Sequence, residues 1–285
     1  MTVYKPDQAQ SLRDMIDNTP SRSMKLITVA SGKGGVGKSS VAVNLAIALS
    51  QLGMRILIVD ADFGLANVDV MLGVSPEHNL GNLIRGEKTL SQIIQESHNG
   101  IRFISGGSGV YELLRMDENQ IQTILQSLMT LRDPADIILF DMGAGIHDNI
   151  VRMVVESSET IVITTPEPTA ILDAYALIKT VLQIAPEHPM RLVMNKSDTL
   201  REAETVAEGF RRIVKQNLKV DIPLLGCVLY DAEMSYSIKR QTPLIIMQPN
   251  GPTARDIMVI ARNLLDLPTP PKMNRLASLF AKLLG

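Results

Sequence analysis

Gly32-Lys33-Gly34-Gly35-Val36-Gly37-Lys38-Ser39 is the stretch of this chain with the densest chemistry. Its spacing fits G-x-x-x-x-G-K-[ST], with Ser31 before it and Ser40 after it. Glycines so placed let the backbone turn tightly, so that successive N–H groups point at one anion. A helix starting directly afterwards adds its positive end. The anion this suits is the phosphate chain of a nucleoside triphosphate. Lys38 would reach the β- and γ-phosphates, and the Ser39 hydroxyl would ligate Mg²⁺. The cradle residues are therefore Gly32, Lys33, Gly34, Gly35, Val36, Gly37, Lys38, Ser39 and Ser40.

Such a loop needs a strand before it and a helix after it. Residues 25–30 form a β-branched apolar run, and 40–52 place apolar side chains at 41, 45, 48, 49 and 52, a helical spacing. A second apolar strand, 54–60, ends on Asp60, with Asp62 two residues on. A third, 136–141, ends on Asp141, followed by Gly143 and Gly145. Carboxylates at the carboxyl ends of parallel strands border the ligand crevice. Asp60 could hold Mg²⁺ through water, Asp62 could orient or deprotonate an attacking water, and Asp141 takes the metal-supporting position. Any one of them could instead cap a helix.

Met194-Asn195-Lys196-Ser197-Asp198 closes another strand and leaves the base open. Asn-Lys-x-Asp is a guanine-reading pattern. Against it, a GTPase carries Asp-x-x-Gly at the γ-phosphate, and here Ala144 stands three residues after Asp141. ATP is the favoured nucleotide, with Asp198 as a helix N-cap.

The 285 residues alternate apolar strands with helical segments, which predicts one doubly wound, mostly parallel α/β sheet with helices on both faces. A formal charge of −2 argues against a general nucleic-acid binder. The single cysteine, Cys227, sits in an apolar run and excludes an intrachain cysteine pair for a bridging cluster or a disulfide. No run is long enough to span a bilayer, and a cytoplasmic location is expected.

The ends differ from the middle. Residues 268–272 are Pro-rich and read as a stiff linker. Beyond it, in 273–285, Leu276, Leu279, Phe280, Leu283 and Leu284 share one helical face, with Lys272, Arg275 and Lys282 around it. Such a helix would lie in an anionic membrane interface, weakly as one copy and strongly as two. In 1–23, Ala9, Leu12, Met15 and Ile16 share a face before Asn18-Thr19-Pro20-Ser21 breaks the pattern. That segment suits partner binding or packing against the domain 24–267.

Lys33, the second lysine of the loop, resembles the signature of the deviant Walker A ATPases of the MinD/ParA class. There this lysine crosses to the nucleotide of a partner subunit, and an Asn at the place of Asn195 contacts adenine. Four segments together resemble the FlhG (FleN/YlxH) branch of that class: 31–40, Asp60-Ala61-Asp62-Phe63-Gly64-Leu65-Ala66-Asn67-Val68-Asp69, 140–145, and Thr165-Pro166-Glu167-Pro168-Thr169-Ala170-Ile171-Leu172-Asp173-Ala174-Tyr175-Ala176. Asp7-Gln8-Ala9-Gln10-Ser11-Leu12-Arg13 resembles the segment with which that branch stimulates the GTPase FlhF. The resemblance implies a Mg²⁺-ATP-dependent homodimer of low turnover that controls flagellar number or placement. It implies contacts with FlhF, with the switch proteins FliM and FliN/FliY, or with a transcription activator. Membrane attachment would occur as the ATP dimer. The competing readings are a ligase of the dethiobiotin synthetase type and a DNA-partitioning ParA relative.

Overall fold

The computed structural model describes residues 24–62, 67–107, 118–129, 131 and 135–268. The expected partner segment (1–23), most of the linker and the amphipathic helix 273–285 lie outside the described residues, as do 63–66 of the segment after Asp60.

Chain order runs β1 (Lys25–Ser31), α1 (Lys38–Gln51), β2 (Ile56–Ala61), α2 (Val68–Leu72), α3 (Leu80–Ile84), α4 (Leu90–Ile93), β3 (Gln95–Glu96), β4 (Arg102–Ile104) and α5 (Glu118–Met129). It continues β5 (Ile137–Ala144), α6 (Asp148–Glu156), β6 (Glu159–Thr164), α7 (Pro168–Ile184), β7 (Met190–Ser197), α8 (Leu200–Leu218), β8 (Leu224–Leu229), α9 (Ala232–Lys239), α10 (Leu244–Met247) and α11 (Pro252–Leu264). The strands form one sheet in the order β3-β4-β2-β5-β1-β6-β7-β8, antiparallel only between β3 and β4. This is the doubly wound sheet expected from the alternation of strands and helices.

Every residue of β2 and β6 is buried, because helices cover both faces of a parallel sheet. On one face Val41, Leu45, Leu49, Ile257 and Ile260 of α1 and α11 pack on Ile27, Val29, Ile58 and Leu139. On the other, Leu177, Ile178, Phe210 and Val214 of α7 and α8 pack on Val162, Leu192 and Met194. Strand β1 lies in the middle, with β5 on one side and β6 on the other. Its carboxyl end is therefore a point where the winding reverses, and that is where an open α/β sheet leaves a crevice.

Two boundaries differ from expectation. The second strand begins at Ile56 because Arg55 is occupied across the sheet, its N–H and guanidinium donating to Asp136 at 2.8–3.3 Å. The cap of α8 is Thr199, not Asp198: β7 runs through Ser197, and the Thr199 hydroxyl accepts the Glu202 N–H at 3.2 Å. Asp198 instead donates its own N–H to the Glu202 carboxylate at 2.9 Å.

Candidate nucleotide site

The loop 31–38 joins β1 to α1 across that crevice. Gly37 has φ +86°, a left-handed conformation that glycine adopts at no steric cost, and it is the residue from which α1 starts. A Cβ at Gly37 would also sit 2.4 Å from Asn195 Nδ2. At the other end of the loop, a Cβ on Gly32 would sit 2.1 Å from the main-chain oxygen of Asp173. The loop is thus wedged between the end of β7 and the backbone of α7. Helix α1 carries no side-chain cap and no acid in its first turn, so its free N–H groups face the loop.

The two lysines of the loop point to different places. Lys38 Nζ donates to Asp141 Oδ1 at 2.7 Å, and both side chains are buried. It also lies 3.4 Å from Ser39 Oγ. Lys33 Nζ instead reaches α7, 3.1 Å from Glu167 Oε2 and 3.0 Å from Thr169 Oγ1. Its side chain is 39% exposed and that of Glu167 is 65% exposed, so the ion pair contributes at most about 1 kcal/mol.

The three strand-end carboxylates do converge. Register places Asp60 of β2 opposite Asp141 of β5, and the Asp62 carboxylate faces Gly143 at the end of the same strand. Asp141 is fully buried and its carboxyl is raised above the usual range by burial, with Lys38 pulling it back and the nearby Asp62 charge adding to the rise. Asp60 is pushed up to about 7, first by burial and then by the charge of Asp141. Asp60 has a structural task. Oδ1 accepts the Asp62 N–H at 3.0 Å, and Oδ2 accepts those of Asn67 and Val68 at 2.7 and 3.0 Å. Through these bonds it fastens both ends of the loop 62–68.

Ser39 and Asp141 are the other two residues expected at a metal. Asp141 Oδ2 is buried with no hydrogen-bond partner, an orphaned acceptor of the kind a cation or its water shell satisfies. Among the described residues no three His, Cys, Asp or Glu side chains form a metal cage. A divalent ion here would rest on one hydroxyl, one carboxylate and the substrate's own phosphates, the habit of Mg²⁺.

Asn195 is buried at the loop's flank, its Nδ2 donating to the Val36 carbonyl at 2.7 Å. Beside it lies a cavity of about 120 Å³ bordered by Gly37, Asn195, Lys196, Tyr230 and Asp231. The motif reading gave no role of their own to Lys196, Asp231, Glu167 or Thr169. Lys196, at φ +56°, donates to the Gly35 carbonyl at 2.6 Å. Asp231 caps α9 and accepts the Thr253 hydroxyl at 2.6 Å. Glu167 and Thr169 stood in a segment noticed only for its resemblance. A positive φ and a partner 134 residues away have no local signal in sequence.

A buried lysine on a strand-end aspartate, beneath a glycine loop at the sheet's reversal point, defines a P-loop nucleotide-binding protein. The sequence profile of the ParA family, described as "NUBPL iron-transfer P-loop NTPase", matches residues 22–265. The chain belongs to that family, and within it to the FlhG-type MinD/ParA ATPases. It is 31% identical over 247 residues to the antiactivator FleN of Pseudomonas aeruginosa, covering 87% of this chain and 88% of that protein. It is 31% identical over 238 residues to the flagellum site-determining protein YlxH of Helicobacter pylori, covering 83% and 80%. The cell-division ATPase MinD of Pyrococcus furiosus superposes with a TM-score of 0.70 at 25% identity, over 85% of this chain and 98% of that one. MinD of Pyrococcus horikoshii complexed with Mg-ADP superposes at 0.71 and 23% identity, over 91% and 99%. The single cysteine sets this chain apart from cluster chemistry that needs two cysteines of one chain.

Proposed function

We propose that this ATPase is a dimerising switch, loaded by Mg²⁺-ATP and reset by slow hydrolysis, that regulates flagellar number or placement. The observation that carries the switch is the divergence of the two loop lysines. Lys38 is committed inward to Asp141, whereas Lys33 stands outward on α7, where a second copy can meet it. Lys33 thus serves the phosphates of the partner subunit, stabilising charge that develops during transfer. Lys38 stabilises charge on the phosphates of its own subunit. Asp62 orients the attacking water, and Asn195 contacts adenine. Ser39 and Asp141 would hold Mg²⁺, which offsets phosphate charge. The likeness to the flagellum site-determining protein YlxH supports the flagellar role. By the same likeness, residues 7–13, with Asp7, Gln8, Ala9, Leu12 and Arg13, engage the GTPase FlhF, and FliM and FliN/FliY are further partners.

Membrane attachment belongs to Leu276, Leu279, Phe280, Leu283 and Leu284, two copies of which act together in the ATP dimer. Co-sedimentation with anionic liposomes tests this, comparing Mg²⁺-ATP with Mg²⁺-ADP for the full chain and for a version ending at Lys272. ATP-dependent pelleting that disappears on truncation is expected. Equal pelleting of both versions, or none, would overturn the membrane step. Among the described residues no helix is long and apolar enough to cross a membrane.

A further inference from the structure

An apolar groove of about 380 Å³ opens at the end of the sheet remote from the phosphate loop. Its walls are Leu52 and Met54, where α1 turns into β2, and Leu264, Leu265 and Leu267, where α11 ends. Leu267 is 40% exposed. Lys25, the first residue of β1, forms part of the rim and is exposed. The strand that ends in the phosphate loop therefore begins at this groove, and the segment before it arrives there.

We infer that the groove is a docking site for the chain's own N-terminal segment, with Leu12, Met15 and Ile16 as the inserted side chains. Reach favours it. Eight residues, 17–24, separate Ile16 from Lys25 and can span up to about 30 Å, ample to turn back onto a groove at Lys25. Charge favours it as well. Asp14 and Asp17, with Arg13 beside them in sequence, flank those apolar residues, and Lys25 is the exposed charge of the rim, since Asp136, which also lines the groove, is buried and paired with Arg55. The amphipathic segment 273–285 fits less well. Pro268, Pro270 and Pro271 follow the groove wall in sequence, and a Pro-rich sequence disfavours the tight reversal needed to bring 273–285 back onto it. Its cations, Lys272, Arg275 and Lys282, would meet Lys25 as like charges. Docking needs neither ATP nor a second copy. While docked, the segment is withheld from any other partner, so groove and partner compete for one apolar face.

A tether of this length gives an effective concentration in the millimolar range, so an intrinsic contact of about 0.1 mM leaves the groove about 90% occupied. Opening of the amides beneath it then slows about tenfold. The amides to watch are Met54, bonded to Leu49, and Leu265 and Leu267, bonded to Ala261 and Arg262. Hydrogen exchange is measured on the full chain, on L12D/I16D and on L276D/L279D. The expected result is about tenfold faster exchange at those amides in L12D/I16D alone, with α8 and β7 unchanged. Faster exchange in L276D/L279D instead would make the C-terminal segment the occupant and overturn the inference. No change in either variant, or a uniform rise through the whole chain in L12D/I16D, would also overturn it.

Discussion

Separating Lys38 from Asp141 should cost far more than removing the exposed charge of Lys33. Their charged atoms are 2.7 Å apart, with 7% and 0% of the side chains exposed. Removing one member of such a pair leaves an uncompensated buried charge, at about 3–5 kcal/mol, against a total stability of about 5–15 kcal/mol. The two deletions are not equal. In D141N the Lys38 ammonium keeps a flexible four-carbon stem and can swing towards solvent, so the cost falls at the lower end. In K38M the short Asp141 side chain stays fixed at the end of β5 with no cation, so the cost is larger. It is also pH-dependent. Burial already holds the folded-state pKa of Asp141 above its ordinary 3.8, and losing Lys38 raises it further. A raised folded pKa gives stability that is full below the unfolded value and lost as pH rises through the folded one. K38M should therefore fall further behind the parent chain as pH rises above the ordinary 3.8. The double variant K38M/D141N removes both charges and should lose less than the sum of the singles, by about 2–3 kcal/mol. Urea unfolding followed by far-ultraviolet circular dichroism in EDTA, without nucleotide, measures all four proteins. Single costs below about 1 kcal/mol that add without coupling would refute the claim that this pair is a buried ionic unit.

Replacing Lys33 by Ala should change monomer stability by no more than about 1 kcal/mol, because its pair with Glu167 is exposed, yet abolish ATP-induced dimerisation or hydrolysis; light scattering after size exclusion with Mg²⁺-ATP, beside a phosphate-release assay, would show it. Gly32→Ala should lower stability by about 1–3 kcal/mol and weaken nucleotide binding together, since the added carbon meets the rigid α7 backbone at 2.1 Å; thermal melts and nucleotide titration follow both. Asp60, held at about 7, gives stability that is full below the ordinary 3.8 and is lost as pH rises to about 7, at most about 4 kcal/mol. The stability difference between the parent chain and Asp60→Asn, followed from about pH 4 to about pH 8, should shrink as pH rises; a constant difference would mean that Asp60 stays ionised throughout.

Much of the fold was legible because burial leaves local marks. The runs that became β2 and β5 are apolar on both faces, as a covered parallel sheet demands, and the turn into α1 is spelled by glycines at fixed spacing. Of the two boundaries that slipped, one involves a long-range partner and the other a bond within one helical turn. Asp136 draws Arg55 out of the second strand, and Thr199 takes the cap expected of Asp198.

The sequence by itself determined that there is a phosphate loop, that two lysines sit on it, and that carboxylates end the strands around it. These follow from residue type and spacing along one short piece of chain. Only the tertiary structure decided what each group touches. Insertion of β5 between β2 and β1 sets Asp141 beside Asp60 and beneath Lys38, 103 residues earlier in the chain. Three backbone amides claim Asp60 for a loop, and α7 holds Lys33 away from Lys38. Strand order and register are set by how buried faces pack across the whole sheet. Hydrophobic periodicity reports that a face is buried but not which strand covers it.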